Sequence, residues 1–289
     1  MPSSLTVLLV SLLLGIPAVL FCLWLLILPA RVSCLCPKEC QCDPGGYFVA
    51  CSDISLNPVP LIHLTDVRVL WLNENEITFL KNNSFFSLSV LDVLILRKCG
   101  LRTIEMGAFK GLTRLTVLSI EGNQFSEIIP GTFENLKSLE VFGLRNNTLE
   151  HVDSDMFRGM VNLREMDLSF NKLQYLHPDT FLGLPNLQHL YIFGNWYLQI
   201  PTERNFINSH SLSYPDISHC NVSSLSVETF AKVSVLEWLD LRYNRLRSVD
   251  INILRTLPKL SEIYLYSNRL YCDCQLQEMW CWCQDVVIF

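Results

Sequence analysis

The stretch LREMDLSFNKL, residues 163–173, decides the fold. Apolar and polar residues alternate along its middle, so Met166 and Leu168 point to one side of a short β-strand while Glu165 and Asp167 point to the other. An asparagine follows three residues after Leu168. The stretch therefore predicts a strand that is buried on one face and ends in a turn at the asparagine.

The same frame recurs along the chain with a period of 24 residues, as in WLDLRYNRL at 238–246 and LSEIYLYSNRL at 260–270. We call the asparagine position of the frame the slot; one step of 25 residues separates Asn195 from Cys220. A ladder of phenylalanines keeps the same register. A period of this length predicts units that bury their apolar faces by stacking, with parallel strands about 4.8 Å apart. The slots are Asn75, Cys99, Asn123, Asn147, Asn171, Asn195, Cys220, Asn244 and Asn268; the ladder is Phe85, Phe109, Phe133, Phe157, Phe181, Phe206 and Phe230, closed by Leu254.

The frame L-x-x-L-x-L-x-x-N-x-L resembles the leucine-rich repeat, and the phenylalanine with the 24-residue period resembles its extracellular, typical subclass. The chain is similar to Toll-type receptor ectodomains, Slit-type guidance proteins and the variable lymphocyte receptors, from about Cys36 to Cys283. The resemblance implies an α/β repeat solenoid, a right-handed horseshoe with a parallel β-sheet on its concave face and disulfide caps. The slot asparagines are expected to satisfy buried backbone groups, and the phenylalanines to stack on the convex side.

Cysteine replaces asparagine at two slots, Cys99 and Cys220. Five units separate them, which at strand spacing is about 24 Å. A disulfide requires Cα atoms within about 7 Å. We therefore expect two buried free thiols that stand in for the amide.

Cys36, Cys40, Cys42 and Cys51 lie immediately before the first repeat, and four more cysteines follow the last one. Sequence alone leaves three pairings open for the first group, but the resemblance implies Cys36–Cys42 and Cys40–Cys51. The second group resembles the start of a carboxy-terminal cap, although it is shorter than that of the family. It is predicted to be an abbreviated cap or the end of a fragment of a longer, membrane-anchored protein. The second group consists of Cys272, Cys274, Cys281 and Cys283, and the pairing of Cys34 stays open.

The first thirty residues carry no charged side chain, and their apolar run exceeds the roughly 20 residues that span a bilayer. A cleaved signal peptide, with the small residue Ala30 near its end, is favoured over an uncleaved anchor. The cysteine-rich caps fit an oxidising compartment, which argues against a cytosolic location for the rest of the chain. We predict a signal segment at 1–33, an amino-terminal cap at 34–60, repeats at 61–271 and an incomplete carboxy-terminal cap at 272–289. The protein is expected to be secreted or, alternatively, held at the cell surface by its first segment. Three sequons predict glycosylation, at Asn82, Asn146 and Asn221.

The outward positions of the strands form a surface that we call the strand face. In its first half the residue that opens each strand is a valine, and from Glu165 onward the surface turns aromatic and acidic. An aromatic cluster on one wall is typical of an interaction hot spot, whereas an inert solvated face is the alternative. Flanking carboxylates favour a basic partner. The valine stripe is Val69, Val93, Val117 and Val141; the predicted ligand-binding residues are Tyr191, Phe193, Tyr214, Asp216, Trp238, Asp240, Arg242, Tyr264 and Tyr266, with Tyr243 beside them.

Catalysis is not predicted. Asp216, Ser218 and His219 could form a nucleophilic set, but no nucleophile elbow or oxyanion-hole glycine motif accompanies them. Asp167, Asp216 and Asp240 are expected as exposed carboxylates without a metal-binding loop, so neither a metal nor a cofactor is expected. The net charge of −6 argues against a nucleic-acid partner.

The resemblance and the strand face together predict an extracellular recognition module. Its expected ligand is a protein or a microbial surface, in innate immunity or receptor-type signalling. The alternative is a structural adhesion or matrix protein that binds through its flanks and glycans. A homodimer or heterodimer through the valine stripe is a further option.

The coil after Asn195 is predicted to be irregular. It carries the extra residue, Ser209 replaces a leucine of the frame, and Pro215 lies inside the next strand. This coil borders the aromatic cluster, and it is either a structural defect or a bulge adapted to a ligand.

Overall fold

The computed structural model describes residues 36–55 and 64–271, together with the backbone of 287–288. The signal segment, Cys34 and the four cysteines of the carboxy-terminal cap lie outside these residues. Within them, no helix combines the length and the apolar character needed to cross a bilayer.

Short strands follow one another along the whole described chain. They are β1 (Gln41–Cys42), β2 (Phe48–Ala50), β3 (Val69–Trp71), β4 (Phe79–Leu80), β5 (Val93–Ile95), β6 (Thr103–Ile104), β7 (Val117–Ser119), β8 (Val141–Gly143), β9 (His151–Val152), β10 (Glu165–Asp167), β11 (Tyr175–Leu176), β12 (His189–Tyr191), β13 (Tyr214–Asp216), β14 (Trp238–Asp240), β15 (Glu262–Tyr264) and β16 (Val287–Ile288).

Twelve of these strands form one sheet, in chain order from β1 to β16 and without β4, β6, β9 and β11. Its pairs are parallel except β1 with β2, and the register follows the repeat, so that Glu165 lies opposite Val141 on one side and His189 on the other. Strands β4 with β6 and β9 with β11 form two small sheets. The predicted solenoid with a parallel sheet is confirmed.

The slot asparagines join neighbouring coils through buried hydrogen bonds. Asn171 Nδ2 donates to the carbonyl oxygens of Leu144, one coil earlier (3.1 Å), and of Leu168 (2.9 Å). Its Oδ1 accepts from the backbone N–H of Leu149 (3.1 Å). Each asparagine thus satisfies backbone groups that would otherwise be buried without partners.

The phenylalanine ladder fills the opposite side of the coils. The rings of Phe85 and Phe109 stack with centroids 6.0 Å apart, and Phe109 stacks on Phe133 at 5.8 Å. Phe142, from β8, inserts edge-on between Phe133 and Phe157. All these rings are buried, so the ladder forms a continuous aromatic core from Phe85 to Phe181.

The side of the coils away from the main sheet consists mostly of turns. Among the described residues its helical segments are a 3₁₀ turn at Pro178–Phe181 and the helix α1 at Ile251–Arg255. Glycines with positive φ, such as Gly111 at 94°, interrupt this side where a helix would need φ near −63°. The α part of the predicted α/β solenoid is therefore small.

The cysteines of the first cap and of the two slots are in the predicted states. Cys36 is bonded to Cys42 and Cys40 to Cys51, the pairs that the family resemblance implies. Cys99 and Cys220 are buried free thiols. Burial raises the pKa of the Cys220 thiol to about 12. These two slots are consequently occupied by protonated, unreactive side chains at neutral pH.

The irregular coil is present, and the hydrogen bonds locate its extra residue. The Gln174 N–H donates to Glu150, at the regular spacing of 24, whereas the Gln199 N–H donates to Gln174, 25 residues earlier. The extra residue therefore lies between Asn195 and the buried Leu198. It displaces the pair Trp196–Tyr197 outward as a bulge.

Pro215 interrupts the backbone hydrogen bonding between β13 and β14. The Tyr214 N–H donates backward to Gln188 and the Ile217 N–H donates forward to Asp240, so by alternation the nitrogen of residue 215 faces β14. Proline has no N–H to donate there. Accordingly, β13 pairs with β14 only at Asp216–Asp240, but with β12 at three positions.

Candidate ligand-binding surface

The second half of the strand face brings together the predicted ligand-binding residues. They come from the parallel strands β12 to β15 and the residues that follow them, so the sheet register places them side by side. Most are partly exposed, namely Tyr191, Phe193, Tyr214, Asp216, Trp238, Arg242, Tyr264 and Tyr266. The one exception among the predicted residues is Asp240, which is buried.

Asp240 was predicted to be an exposed ligand-binding carboxylate, and this prediction is wrong. Its exposed fraction is 0 % because the Arg242 side chain lies across it. The Asp240 carboxylate accepts from Arg242 Nε (2.7 Å) and from the Arg242 backbone N–H (2.9 Å), and contacts Nη2 as well. The side-chain hydrogen bond to Asp240 raises the pKa of Arg242. Asp240 is thus an internal anchor for the arginine.

Arg242 connects this anchor to two tyrosines. Its Nη1 donates to the Tyr266 hydroxyl (2.9 Å), and its guanidinium carbon lies 5.3 Å from the Tyr264 ring centroid and 5.2 Å from that of Tyr266. These distances fit cation–π contacts. The arginine therefore holds both rings at the surface in fixed positions.

Carboxylates surround Tyr191. The register places Asp167 and Asp216 on either side of it. Burial, followed by the charges of Glu165, Asp167 and Asp216, raises the pKa of Tyr191. Burial is also the main cause that raises the pKa of Asp216, which retains a hydrogen bond from the Ser218 N–H (2.9 Å). This part of the strand face is negatively charged and partly desolvated.

The conceivable catalytic set does not assemble. Ser218 is buried and its hydroxyl is hydrogen bonded to Asp216, whereas the His219 ring stacks on Tyr243 with centroids 4.2 Å apart. The Ser218 hydroxyl and the His219 ring thus have different partners, and the relay that a nucleophilic serine requires is not formed. Within residues 36–55 and 64–271, no three histidine, cysteine, aspartate or glutamate side chains lie so that they could hold a metal ion.

Six aromatic rings lie along the edge of the strand face where the strands end. We call them the edge row. Sequence reasoning missed three of them, Phe170, Trp196 and His219. Four members are more than 40 % exposed: Phe170 at 43 %, Trp196 at 54 %, Tyr243 at 45 % and Tyr266 at 43 %. The edge row consists of Phe170, Phe193, Trp196, His219, Tyr243 and Tyr266.

Ring contacts between neighbouring coils join the edge row into two groups, Phe170 with Phe193 and Trp196 through His219 and Tyr243 to Tyr266. Phe170 meets Phe193 edge-on at 5.0 Å, and its ring covers Gly194, where an added Cβ would lie 2.8 Å from Phe170 Cδ1. His219 lies between Trp196 and Tyr243, at 6.2 and 4.2 Å. Tyr243 then meets Tyr266 at 5.3 Å.

Two arginines frame the edge row. The Arg145 guanidinium lies 4.4 Å from the Phe170 ring centroid and 4.9 Å from that of Phe193, and Arg242 lies beside Tyr266 at the other end. Aromatic rings and arginine are the residue types that carry most binding energy in protein interfaces.

A repeated backbone turn positions three of these rings. Phe170, His219 and Tyr243 each directly precede a slot, and their φ angles are 53°, 53° and 55°. A non-glycine residue at positive φ is uncommon, so each turn is held by the coils around it. The position directly before each slot recurs with the repeat. Aromatic residues at that position were the sequence signal that could have identified these rings.

The first half of the strand face has a different character. Its valine stripe is half-buried, and Trp71, 42 % exposed, packs edge-on against Phe48 at 5.0 Å. This half ends at a group of hydrogen-bonded polar side chains. In it, the Glu121 carboxylate accepts from Arg97 Nη2 and from the Ser119 hydroxyl, both at 3.0 Å. The Glu121 side chain lies over Gly143, leaving no space there for a Cβ.

Comparisons with known proteins agree with this architecture. A family model described as a leucine rich repeat matches residues 89–149, 138–196 and 210–270. Leucine-rich repeat-containing protein 3B of Homo sapiens is 38 % identical over 87 residues, which are 30 % of this chain and 34 % of that protein. Prolargin of Bos taurus is 41 % identical over 49 residues, 17 % of this chain and 13 % of that protein. The chain therefore spans about a third or less of the length of these curated relatives.

Two solved structures share the fold. The crystal structure of human 5T4, also described as Wnt-activated inhibitory factor 1 or trophoblast glycoprotein, matches with a TM-score of 0.62 and 23 % identity over 88 % of each chain. The crystal structure of a TLR13–ssRNA13 complex matches with a TM-score of 0.52 and 21 % identity, over 83 % of this chain and 43 % of that chain. At these identities the likeness concerns the fold alone.

Proposed function

This chain belongs to the leucine-rich repeat proteins, and from that premise we propose that it is a non-enzymatic extracellular recognition module. It binds a protein or microbial-surface ligand through the edge row and the adjoining second half of the strand face. The observation that carries the proposal is the edge row itself, six aromatic rings in two contacting groups that are framed by Arg145 and Arg242.

The edge row is not needed to close the core. Its four most exposed members leave over 40 % of their surface in water, while the buried leucines and phenylalanines already fill the coils. A large contiguous apolar patch on the surface of a folded domain commonly marks an interaction site. The rings are also held by their neighbours, so that little conformational entropy is lost on binding.

The carboxylates on the second half of the strand face indicate the chemistry of the partner. Glu165, Asp216 and Glu262 form no ion pair within 4.0 Å in the described part of the chain. A ligand with lysine or arginine side chains would neutralise them, whereas a phosphate backbone would be repelled. We therefore expect a basic protein surface rather than a nucleic acid.

The extracellular setting is supported by the two disulfides of the first cap, since disulfides persist in oxidising compartments. The three sequons and the family resemblance agree with it. We further propose that the protein acts in innate immunity or receptor-type signalling.

One matched pair of variants tests the proposal. The purified protein, presented as a dimer to raise avidity, is screened against an array of cell-surface and secreted ectodomains and of intact microbial surfaces. We expect Phe170→Ala to lower the affinity for the captured ligand at least tenfold, as at an interface hot spot. Phe79→Ala, on β4 and equally exposed at 44 %, is expected to leave affinity unchanged. Equal affinities of the two variants would contradict the proposal.

A structural adhesion protein is the second candidate. A polar groove of about 530 Å³ favours it, because the groove lies along the opposite edge of the sheet, where the strands begin, and Asp92, Arg114, Glu140 and Arg164 line it. If Arg114→Ala and Arg164→Ala weaken capture in the same screen while Phe170→Ala does not, the flank is the binding surface and the adhesion function is favoured.

A further inference from the structure

The bulge at Trp196–Tyr197 opens a groove beside the edge row. The two rings are 54 % and 66 % exposed, and they face the coil that follows them. The groove has a volume of about 420 Å³, which is within the usual range of ligand sites. Its walls are residues 196–200 on one side and 221–224 on the other.

The lining of this groove is uncharged. It combines the rings of Trp196 and Tyr197 with the neutral polar side chains of Gln199, Asn221 and Ser224. The 530 Å³ groove at the opposite edge, by contrast, is lined by two carboxylates from Asp92 and Glu140 and by two arginines. Aromatic faces beside neutral hydrogen-bonding groups suit a saccharide, which presents C–H faces and hydroxyl groups and no charge.

Three consecutive residues of the lining form a sequon. Asn221-Val222-Ser223 forms the triplet, and Ser223 is exposed. The Asn221 Oδ1 atom is buried and has no hydrogen-bond partner in the described part of the chain. Its Nδ2 makes no hydrogen bond there, so the nitrogen that carries N-linked sugars is not engaged by the described part of the protein.

We propose that Asn221 is N-glycosylated and that the first sugars of its glycan occupy this groove, stacked on Trp196 and Tyr197. Trp196 and Asn221 each directly follow a slot, so the repeat places them in neighbouring coils. The spacing between neighbouring coils is about 4.8 Å. A sugar on Asn221 Nδ2 therefore starts at the wall opposite the two rings. The proposal rests on the extracellular route of the proposed function, but not on any ligand of the edge row.

The modification is a group transfer from a lipid diphosphate-linked oligosaccharide. The bond between the sugar C1 and the phosphate oxygen breaks, and its electron pair leaves with the diphosphate. The bond between C1 and Asn221 Nδ2 forms, and the amide nitrogen releases one proton. The glycan then covers two exposed rings and fills the space that the extra residue creates.

Secretion of the full chain from mammalian cells tests the proposal. Peptide mass spectrometry is expected to find a glycan on Asn221, and Ser223→Ala is expected to remove it. Ser224→Ala changes the same groove but keeps the sequon, so it is the matched control that retains the glycan. Ser223→Thr keeps the sequon as well and is expected to retain the glycan.

Thermal unfolding tests the packing of the sugar in the groove. We expect Ser223→Ala to lower Tm by about 2–4 °C, the shift of one ordinary contact in a domain of this size. Trp196→Ala is expected to lower Tm in the glycosylated protein, and to change it less when Ser223→Ala is already present.

Each remaining outcome overturns part of the proposal. A bare Asn221 beside glycosylated Asn82 or Asn146 would overturn the modification and leave the proposed function intact. A glycan on Asn221 with additive effects of Trp196→Ala and Ser223→Ala would overturn the packing in the groove. A chain retained in the cytosol with all three sites bare would overturn both this inference and the extracellular function.

Discussion

At the scale of single residues, each slot of the solenoid joins two coils through one side chain. Asn123 donates from Nδ2 to Leu96 of the preceding coil, and its Oδ1 accepts from the backbone of Cys99 and Leu101. Cys99 keeps only the donor part of this pattern, with its Sγ donating to the Leu72 carbonyl (3.0 Å). A thiol thus replaces half of what the amide does.

This difference predicts unequal costs of substitution. We expect Asn171→Ala to lower the free energy of unfolding by about 3 kcal/mol, because several buried backbone groups lose their partners. Cys99→Ala removes one weak donor and little volume, and is expected to cost about 1 kcal/mol. Denaturant unfolding followed by circular dichroism measures both values. Equal losses of unfolding free energy in the two variants would show that the slot asparagines do not hold the coils together.

At the scale of the strand, alternation identifies the face of a residue but not its depth. Trp238, Asp240 and Arg242 were correctly assigned to the same face, yet the arginine buries the aspartate beneath it. The edge row was predicted only in part, because Phe170 and His219 lie in turns beyond the alternating strand. Their exposure depends on a left-handed backbone that a pattern of leucines does not reveal.

The neighbouring carboxylates of β13 and β14 are expected to behave differently. Asp240→Ala leaves the Arg242 guanidinium without its buried partner and is expected to cost about 2 kcal/mol of stability. Asp216→Asn is expected to be stabilising at pH 7, because burial raises the pKa of Asp216 above that of the unfolded chain. Unfolding measurements at pH 7 compare the two variants directly.

The sign of the Asp216 effect follows from linkage. The folded state holds the Asp216 proton more tightly than the unfolded state, so ionisation lowers stability as pH rises from about 3.9 through the folded pKa. The advantage of Asp216→Asn is therefore expected at neutral pH and should vanish below about pH 4. A constant difference across that range would contradict the assignment of the raised pKa to Asp216.

At the scale of the whole molecule, the repeat predicted most of the architecture. The 24-residue period fixes the register of the sheet, the stacking of the slots and the phenylalanine core, because each coil has the same neighbours as the next. The cap disulfides followed from the family resemblance. The location of the bulge did not follow, because the one step of 25 between Asn195 and Cys220 does not say where the coil expands.

The strand face divides into two surfaces of different chemistry. The first half presents valines and Trp71 up to the hydrogen-bonded polar group around Glu121, and the second presents carboxylates and the edge row. Docking of a second copy or another chain on the valine stripe stays a prediction from the sequence. We assign ligand recognition to the second half alone.

Photo-crosslinking on intact protein tests this assignment most directly, because it works before the ligand is identified. A benzoylphenylalanine residue is placed at position 243, within the edge row, or at position 79, on β4 outside the main sheet, and the secreted protein is irradiated on cells to which it binds. We predict a discrete crosslinked partner from position 243 and none from position 79. A partner captured only from position 79 would contradict the assignment.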